Sequence, residues 1–214
     1  MLKVWGRRNS FNVQKVLWLV GELGIEHEHV PAGGPFGRLD EPGFRALNPV
    51  GKIPVIEDDG TAVWESHAIL RYLAERYGGE RFWPSLPVRA RIEPWMDWSQ
   101  STFQPDFGGG LFWGFFRTPE PERDWPAIHR AEAACADHLQ LVDKVLADRP
   151  FLAGAEFSLA DIPLGSCLFR YFGMEIAHPY VPNVTAWYER LCAREAYRLN
   201  VMLPFDDLRG RLAF

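Results

Sequence analysis

The stretch from residue 48 to residue 73 limits the fold of this 214-residue chain more than any other part of it. Pro54 interrupts a short apolar run, and because proline cannot donate a hydrogen bond to a sheet, it is expected at a strand start or edge. The Asp-Asp-Gly sequence at 58–60 is typical of a tight hairpin turn. Glu65 and Ser66 follow at the point where a helical pattern begins. The stretch therefore predicts a loop, a hairpin and a helix, in that order.

The predicted start of this helix has the chemistry of a ligand site. Helix N-termini carry unpaired backbone N–H groups and a partial positive charge, so a carboxylate can bind there. Ser66 adds a hydroxyl, Glu65 can pair with an ammonium group, and Lys52 in the preceding loop adds a cation. A zwitterionic α-amino acid group fits this arrangement. The alternative is that Ser66 is an N-cap residue with no further role.

Two sequence blocks of this stretch carry a resemblance to a known family. They read Asn-Pro-x-Gly-Lys-Ile-Pro at 48–54 and Glu-Ser-x-Ala-Ile-x-x-Tyr-Leu at 65–73. At this spacing they resemble the glutathione-binding half of glutathione transferases, and the resemblance extends over essentially the whole chain. It implies glutathione as the co-substrate and a site without a metal.

The resemblance assigns a part of glutathione to each of several residues. Glu65 and Ser66 match the residues that hold its γ-glutamyl end. Ile53, which precedes a proline expected to be cis at Pro54, matches the residue whose backbone pairs with the cysteinyl unit. Lys52 matches a position that reaches the glycyl carboxylate, and the alternative for it is an exposed lysine without a ligand.

The order of strands and helices before this stretch agrees with the resemblance. A strand at 2–5, a helix with apolar residues at helical spacing up to Leu23 and a strand at 26–30 form a β-α-β unit, which implies a parallel pair with a right-handed crossover. Gly24 stands where a C-terminal helix glycine belongs. With a short helix at 41–47 and the hairpin and helix that follow, this is the thioredoxin-like order.

Two domains are therefore predicted. Residues 1–79 form an α/β, thioredoxin-like glutathione-binding domain, and 80–87 form a linker that contains two prolines. Residues 88–214 form an all-helical domain, which in this family completes the electrophile pocket. The fold class is that of the glutathione transferases.

Helices of the second domain are predicted at 88–104, 126–148 and 183–194 from their apolar spacing. The three glycines at 108–110 are expected to interrupt the helical pattern, and the tail is expected to be irregular. A Ser-x-x-Asp sequence at 158–161 is typical of a helix-capping box. It resembles the buried capping box in the helical domain of glutathione transferases.

Composition and charge argue against several classes of function. The net charge is −5 and the chain has no basic stripe, so nucleic acid is not an expected partner. No apolar run approaches the length of a membrane helix, and the N-terminus lacks a signal-peptide pattern, so a cytoplasmic protein is expected. Cys135, Cys167 and Cys192 are widely spaced in apolar helical patterns, which favours packed thiols over a disulfide framework or a zinc site.

The reacting group in this family lies between the first strand and the first helix. The resemblance places Ser10 at the position of the catalytic serine, with Phe11 where many members have proline. A hydroxyl at a helix N-terminus can donate a hydrogen bond to a thiolate and so lower the pKa of the thiol. The amide of Asn12 is a second candidate donor, and the alternative for Ser10 is a capping role. The turn lacks tyrosine and cysteine, which disfavours mechanisms of those types.

The electrophile pocket is predicted from aromatic and cationic residues near this turn and in the first helices of the second domain. For each aromatic residue, core packing is the competing interpretation. The candidates are Trp5, Arg7, Phe36, Phe107, Phe112, Trp113 and Arg117. The opening sequence and the Arg-Thr-Pro sequence at 117–119 resemble a bacterial, theta-like, serine-type subgroup. Some relatives of that subgroup dehalogenate small haloacids.

The sequence is interpreted as a detoxifying glutathione transferase. Ser10, with Asn12 as the second candidate, activates the glutathione thiol for attack on a small electrophile such as a haloacid. Two alternatives stay open, namely a glutathione-dependent disulfide or peroxide reductase and a non-enzymatic binding module on the same fold. The resemblance also implies a homodimer, and neither nucleic acid nor a membrane is expected as a partner.

Overall fold

The computed structural model of the chain describes residues 1–212, and its contacts divide into two compact units. The first unit contains Met1–Ser85 and Glu195–Leu203. The second contains Leu86–Arg194 and the described residues from Pro204 onward. The contacts thus group a short segment near the C-terminus with the first unit, whereas the sequence assigned that segment to the helical domain.

The strands and α-helices follow one another in a mixed order in the first unit, and among the described residues only helices follow from residue 79. In chain order, the elements are β1 (Leu2–Trp5), α1 (Phe11–Leu23), β2 (His27–Val30), α2 (Pro42–Leu47), β3 (Val55–Asp58), β4 (Thr61–Trp64), α3 (Ser66–Tyr77), α4 (Gly79–Phe82), α5 (Leu86–Trp98), α6 (Trp125–Val145), α7 (Asp161–Gly173), α8 (Pro182–Cys192) and α9 (Glu195–Asn200).

The first unit contains a four-stranded mixed sheet in the order β2-β1-β3-β4. β1 pairs in parallel with β2 and antiparallel with β3, which in turn pairs antiparallel with β4. This confirms the predicted thioredoxin-like fold of the N-terminal part of the chain. The sheet places the end of β1 beside the start of β3, because Trp5 pairs with Val55. The turn after β1 and the loop before β3 therefore lie at the same edge.

Helix α1 connects the two parallel strands, and its residues 13–20 are buried. Val13, Val16 and Val20 are each 0% exposed, which agrees with the predicted apolar face. Gly24 ends the helix with φ 64°, as predicted, and donates its N–H to the Gly21 carbonyl at 3.2 Å. A left-handed residue at this position is typical of helix C-termini, where glycine has no steric penalty.

Helix α9 packs against α1, in a segment where the sequence predicted an irregular tail. The rings of Trp18 and Tyr197 meet edge to face, with 4.7 Å between their centroids. A Cβ added at Gly21 would lie 2.9 Å from the Cβ of Ala196, so the glycine allows the two helices to approach closely. The prediction was wrong because α9 has only six residues, too few to show a helical period.

The second unit is helical, which confirms the predicted class, but the glycine triplet does not interrupt it. The chain continues from α5 through wide, π-type helical turns at Ser99–Phe103 and Pro105–Arg117. A Cβ added at Gly110 would lie 2.4 Å from the Cβ of Ala131 on α6. The glycine therefore permits close packing between two helical segments, and a helix break was the wrong interpretation.

A buried carboxylate organises the centre of the second unit. Asp161 is 0% exposed and accepts hydrogen bonds from the backbone N–H groups of Leu152 and Ser158, each at 2.9 Å. It also accepts one from the indole Nε1 of Trp187 at 3.0 Å, on α8. The predicted Ser-x-x-Asp interaction is thus present. Asp161, the first residue of α7, thus joins the loop before α7 to α8.

We predict that Asp161→Ala destabilises the protein by about 3 kcal/mol, because four buried donors, the Ser158 hydroxyl among them, lose their acceptor together. The shift of the urea unfolding midpoint measures this loss. Asp124→Ala is the matched control, since Asp124 caps α6 with one exposed bond to the Ala127 N–H at 3.0 Å. Loss of an exposed cap costs about 1 kcal/mol. Equal shifts for the two variants would contradict the central role of Asp161.

Candidate functional site

The turn between β1 and α1 presents Ser10 at the start of a helix. Its backbone is extended, with φ −89° and ψ 128°, and its N–H donates to the Arg7 carbonyl at 3.1 Å. Its own carbonyl accepts the first helical bond, from the Gln14 N–H at 2.9 Å. The Ser10 side chain makes no capping hydrogen bond and is partly exposed. The hydroxyl therefore stands at the positive end of α1 without serving as its cap.

Asn12 lies one residue into α1, and its side chain is tied to the start of α3. The ammonium of Lys15 donates to Asn12 Oδ1 at 3.0 Å and lies 3.3 Å from His67 Nε2. Lys15 is 0% exposed and His67 is 4% exposed. A lysine ammonium only donates, so His67 Nε2 is the acceptor. The two helix starts are therefore joined through one buried side chain.

Burial keeps His67 neutral. It lowers the pKa of this imidazole from 6.5 to about 2, and the nearby cations Lys15 and Arg71 add to the effect. A neutral imidazole with an unprotonated Nε2 is the form that the lysine contact requires. His67 directly follows Ser66, so the contact with Lys15 also holds the first turn of α3 against α1.

The loop before β3 is held by an asparagine side chain. Asn48 is buried, donates to the Lys52 carbonyl at 2.8 Å and accepts from the Val50 N–H at 2.9 Å. The Ile53–Pro54 peptide is cis, as the resemblance implied, and Pro54 directly precedes β3. The Lys52 side chain is exposed.

Gly6 brings this loop against the turn that leads to Ser10. Its φ is 147°, and a Cβ there would lie 2.4 Å from Val13 Cγ2 and 3.3 Å from the Cβ of Ile53. A residue with a side chain would therefore displace either α1 or the loop. The absence of a side chain at position 6 allows the backbone of Ile53 to lie close to the Ser10 turn.

The start of α3 differs from the predicted capping arrangement. The helix begins at Ser66, and Glu65 occupies the N-cap position with a left-handed φ of 68°. The interpretation of Ser66 as the N-cap was therefore wrong by one residue, and the Glu65 side chain makes no capping hydrogen bond. Ser66 is buried, whereas the Glu65 carboxylate is exposed. Because Glu65 does not cap the helix, the N–H groups of the first turn keep their capacity to bind a carboxylate.

A cavity of about 480 Å³ lies in the glycine-rich loop between β2 and α2, and sequence reasoning missed it. Gly33 lies within its lining, and a Cβ there would be 3.2 Å from Ile53 Cδ1, so the cavity adjoins the loop before β3. Arg38, also in the lining, has a left-handed φ of 73°, and its guanidinium lies 6.0 Å from the Trp5 ring centroid. The available signal was an arginine in a loop that contains five glycine and proline residues.

The predicted pocket residues of the first unit occupy three different environments. The indole of Trp5 donates to Glu57 Oε1 at 2.7 Å and packs on the cluster around Phe44. Phe36 is 51% exposed on the loop next to the cavity. Arg7 is partly buried in the Ser10 turn itself. Of these, Arg7 lies closest in sequence to Ser10.

In the second unit, packing accounts for most of the predicted pocket residues. Phe107 and Phe112 are 0% and 2% exposed, and both rings contact other aromatic rings. Arg117 is buried, donates to the Arg211 carbonyl at 2.8 Å and lies 4.0 Å from the Trp113 ring centroid. Trp113 itself is 37% exposed. A role of these residues in an electrophile pocket stays a prediction.

Several other expectations concern the whole chain. Cys135 and Cys167 are buried free thiols, and Cys192 is a partly exposed one. Burial raises the pKa of Cys135, so this thiol is not a nucleophile at neutral pH. Within residues 1–212, no cluster of metal-ligating side chains was found, and no helix is long and apolar enough to cross a membrane.

Known proteins resemble this chain along most of its length. Residues 5–81 match the family "Glutathione S-transferase, N-terminal domain", and residues 105–195 match "Glutathione S-transferase, C-terminal domain". The chain is 39% identical over 207 residues to glutathione S-transferase GstB of Escherichia coli K12, covering 95% of this chain and 99% of that protein. It is 32% identical over 209 residues to glutathione S-transferase 3 of Zea mays, covering 94% and 93%.

A solved structure agrees closely with this one. The theta class glutathione S-transferase of Xanthomonas axonopodis pv. citri, with glutathione bound, superposes with a TM-score of 0.90 at 44% identity. The match covers 95% of this chain and 98% of that one.

We predict that His67→Gln makes the free energy of unfolding less dependent on pH. The folded imidazole, with its pKa of about 2, takes up no proton between about pH 6 and pH 4, whereas the unfolded one does. Stability from this residue is therefore lost as pH falls below 6.5, by about 1.4 kcal/mol per pH unit. Glutamine keeps an acceptor for Lys15 but does not titrate. Urea unfolding at several pH values checks this, and parallel pH profiles would contradict it.

Proposed function

The chain belongs to the glutathione S-transferase family, and we propose that it activates the thiol of glutathione through a hydrogen bond from Ser10. The observation that carries this proposal is the position of the Ser10 hydroxyl at the start of α1, where it makes no capping bond. The partial positive charge of the helix N-terminus favours an anion at the same point. Asn12, two residues after Ser10, is the second donor of the proposal.

The proposed reaction is nucleophilic displacement by sulfur. The thiol loses its proton to water, since the turn offers donors but no strong base, and the hydrogen bond from Ser10 stabilises the thiolate that remains. The thiolate then attacks an electrophilic carbon, a carbon–sulfur bond forms, and the leaving group departs with the electrons of the bond that breaks. Because a hydrogen bond to the charged form lowers the pKa of a thiol, the protein raises the thiolate fraction at neutral pH.

The remainder of glutathione is proposed to bind along the edge that β1, β3 and α3 form. The γ-glutamyl carboxylate would accept from the N–H groups at the uncapped start of α3 and from Ser66, with its ammonium against the exposed Glu65. The backbone of Ile53, next to Pro54, would pair with the cysteinyl unit. Lys52 would reach the glycyl carboxylate, and its side chain is exposed on that loop.

A small haloacid is the electrophile that we propose. The support is the cationic character of the turn itself, because Arg7 and Arg8 lie three and two residues before Ser10. An arginine close to the thiolate would hold the carboxylate of the acid and favour an anionic substrate over a neutral one. Glutathione transfer to such an acid releases a halide ion.

Reduction of disulfides or peroxides is the second candidate reaction, and Asn12 beside Ser10 is the observation that keeps it open. The turn contains serine in place of cysteine, so it cannot form a mixed disulfide with glutathione itself. A non-enzymatic binding role would leave the pKa of the glutathione thiol unchanged. A homodimer, a cytoplasmic location and a role in detoxification stay predictions from the family resemblance.

We predict that Ser10→Ala raises the pKa of the bound glutathione thiol by about one to two units, because the thiolate loses a hydrogen bond. At neutral pH, kcat falls about tenfold to a hundredfold, while the KM for glutathione changes little. Ultraviolet titration of the enzyme–glutathione complex measures the pKa. Ser10→Thr, which keeps a hydroxyl, restores most of the effect. An unchanged pKa in Ser10→Ala would move the role to Asn12 or to the backbone.

We predict that the wild-type protein releases chloride from chloroacetate at least about tenfold faster than from chloroacetamide, because a charge-assisted bond contributes about 1.5–3 kcal/mol. The two compounds share the reacting carbon and leaving group and differ in charge. Arg7→Gln removes this preference and leaves the chloroacetamide rate unchanged. Faster reduction of hydroxyethyl disulfide by the same sample would favour the reductase instead.

A further inference from the structure

We infer that helix α9 is a positioning element of the thiol site, because Asn200 holds Arg8 and Arg8 belongs to the turn that presents Ser10. The inference rests on the proposed function, since it concerns how the Ser10 hydroxyl is directed. It gives a role to a short segment near the C-terminus that groups with the first unit. Asn200 touches glutathione in no step and acts only through the turn.

The first support is the place of Arg8 in the turn. The Ser10 N–H donates to the Arg7 carbonyl at 3.1 Å, so residues 7–10 form a β-turn with Arg8 and Asn9 in its two central positions. The backbone angles of the central residues determine the direction in which a turn delivers its last residue. The last residue here is Ser10, so a bond that fixes Arg8 also fixes the direction of Ser10.

The second support is the bond from Arg8 to α9. Arg8 Nη2 donates to Asn200 Oδ1 at 3.2 Å, and Asn200 Nδ2 donates to the Ala196 carbonyl at 2.9 Å. A guanidinium only donates and a carbonyl only accepts, so the two partners agree on which end of the Asn200 amide is the oxygen. Because the donor is charged, this bond is stronger than one between neutral groups. It joins residues that are 192 positions apart in the chain.

The third support is the packing that holds Asn200 against α1. Asn200 is 8% exposed, and a Cβ added at Gly21 would lie 3.2 Å from its Nδ2. The same added Cβ would lie 2.9 Å from the Cβ of Ala196, so both residues of α9 approach the backbone of α1 closely. The acceptor for Arg8 therefore has a fixed place relative to the helix that follows the turn.

The start of the turn segment is held separately, by β2. His29 Nε2 donates to the Gly6 carbonyl at 2.7 Å, and the Gly6 N–H donates to the Val30 carbonyl at 3.0 Å. The segment is thus anchored on β2 at Gly6 and on α9 at Arg8. Loss of the bond to Asn200 removes the anchor nearer to the serine and leaves the one at Gly6. We therefore expect this loss to misdirect the serine hydroxyl without unfolding the first unit.

The test is the pKa of the bound glutathione thiol in Asn200→Ala, which removes the acceptor for Arg8 and changes no charge. This pKa rises by about half a unit to one unit, because the thiolate receives a poorer hydrogen bond. At neutral pH, kcat with chloroacetamide falls about twofold to tenfold, and the KM for glutathione changes less. Leu199→Ala is the matched control, since Leu199 is 61% exposed on the same helix, and it leaves both values as in the wild type. In a Ser10→Ala background, Asn200→Ala has no further effect. An unchanged pKa, or an equal shift in both backgrounds, would overturn the inference.

Arg8→Gln keeps the inference open to disproof if Asn200→Ala does not fold. Arg8 is exposed, so its replacement leaves the packing of α9 intact. Loss of a nearby cation raises the thiol pKa by itself, whether or not Ser10 is present. The shift caused by Arg8→Gln is therefore measured in the wild-type and in the Ser10→Ala background. We expect it to be larger in the wild-type background by about half a unit. Equal shifts would show that Arg8 acts by its charge alone and would refute the inference.

The pKa of the thiol in the wild-type protein distinguishes failure of the proposed function from failure of the inference. If the wild-type protein does not lower the thiol pKa of bound glutathione, the proposed function fails, and the role of α9 fails with it. If it does, and Ser10→Ala raises the pKa while Asn200→Ala leaves it unchanged, only the role of α9 fails.

Discussion

The contact between α1 and α3 is the interaction on which the candidate site depends, because each helix supplies one end of the site. Lys15 lies at this contact and bonds to both helices, to Asn12 on one and to His67 on the other. Ser10 and Glu65 stand at the two helix starts, and neither side chain caps its helix. Two helix N-termini and a buried cation thus favour negative charge in one region. Glutathione, with a thiolate and two carboxylates, has the complementary charge.

The sheet brings the third part of the site to the same edge. β1 and β3 are neighbours, so the turn after one strand and the loop before the other meet there. Gly6 makes the meeting close, since a side chain at that position would collide with Val13 and with Ile53. Asn48 then holds the loop in place through its own backbone bonds. The turn after β1, Gly6 and the loop that Asn48 holds therefore lie together at one edge of the sheet.

Much of the first unit could be predicted from the sequence, because its signals are local. The β-α-β order, the Gly24 helix end and the cis proline at 54 all follow from short patterns or from the resemblance. The link through Lys15 could not be predicted, because residue 67 meets residue 15 only after the chain has folded. The shift of the α3 start by one residue was missed because a left-handed glutamate at an N-cap is unusual. In α9, the packing surface on α1 determines the helix, and its short sequence carries too weak a signal.

In the second unit, too, contacts between distant segments could not be predicted from local sequence patterns. Its glycine triplet suggested a break, since glycine usually weakens helices. The structure uses Gly110 for close contact with Ala131, a relation between segments that no local pattern reveals. The Ser-x-x-Asp box was predictable, but the bond from Trp187 to Asp161 was not, as it crosses between helices. Aromatic residues that suggested a pocket, such as Phe107, are buried in the helical packing, and their role in a pocket stays a prediction.

A crystal structure of the protein with glutathione bound tests the central claim most directly. The account predicts the cysteinyl sulfur within about 3.5 Å of Ser10 Oγ, the hydrogen-bond range for sulfur, and on the side of Asn12 Nδ2. It also predicts the γ-glutamyl carboxylate on the N–H groups at the start of α3, beside Ser66. A tripeptide bound elsewhere, or a sulfur that contacts neither Ser10 nor Asn12, would contradict the account.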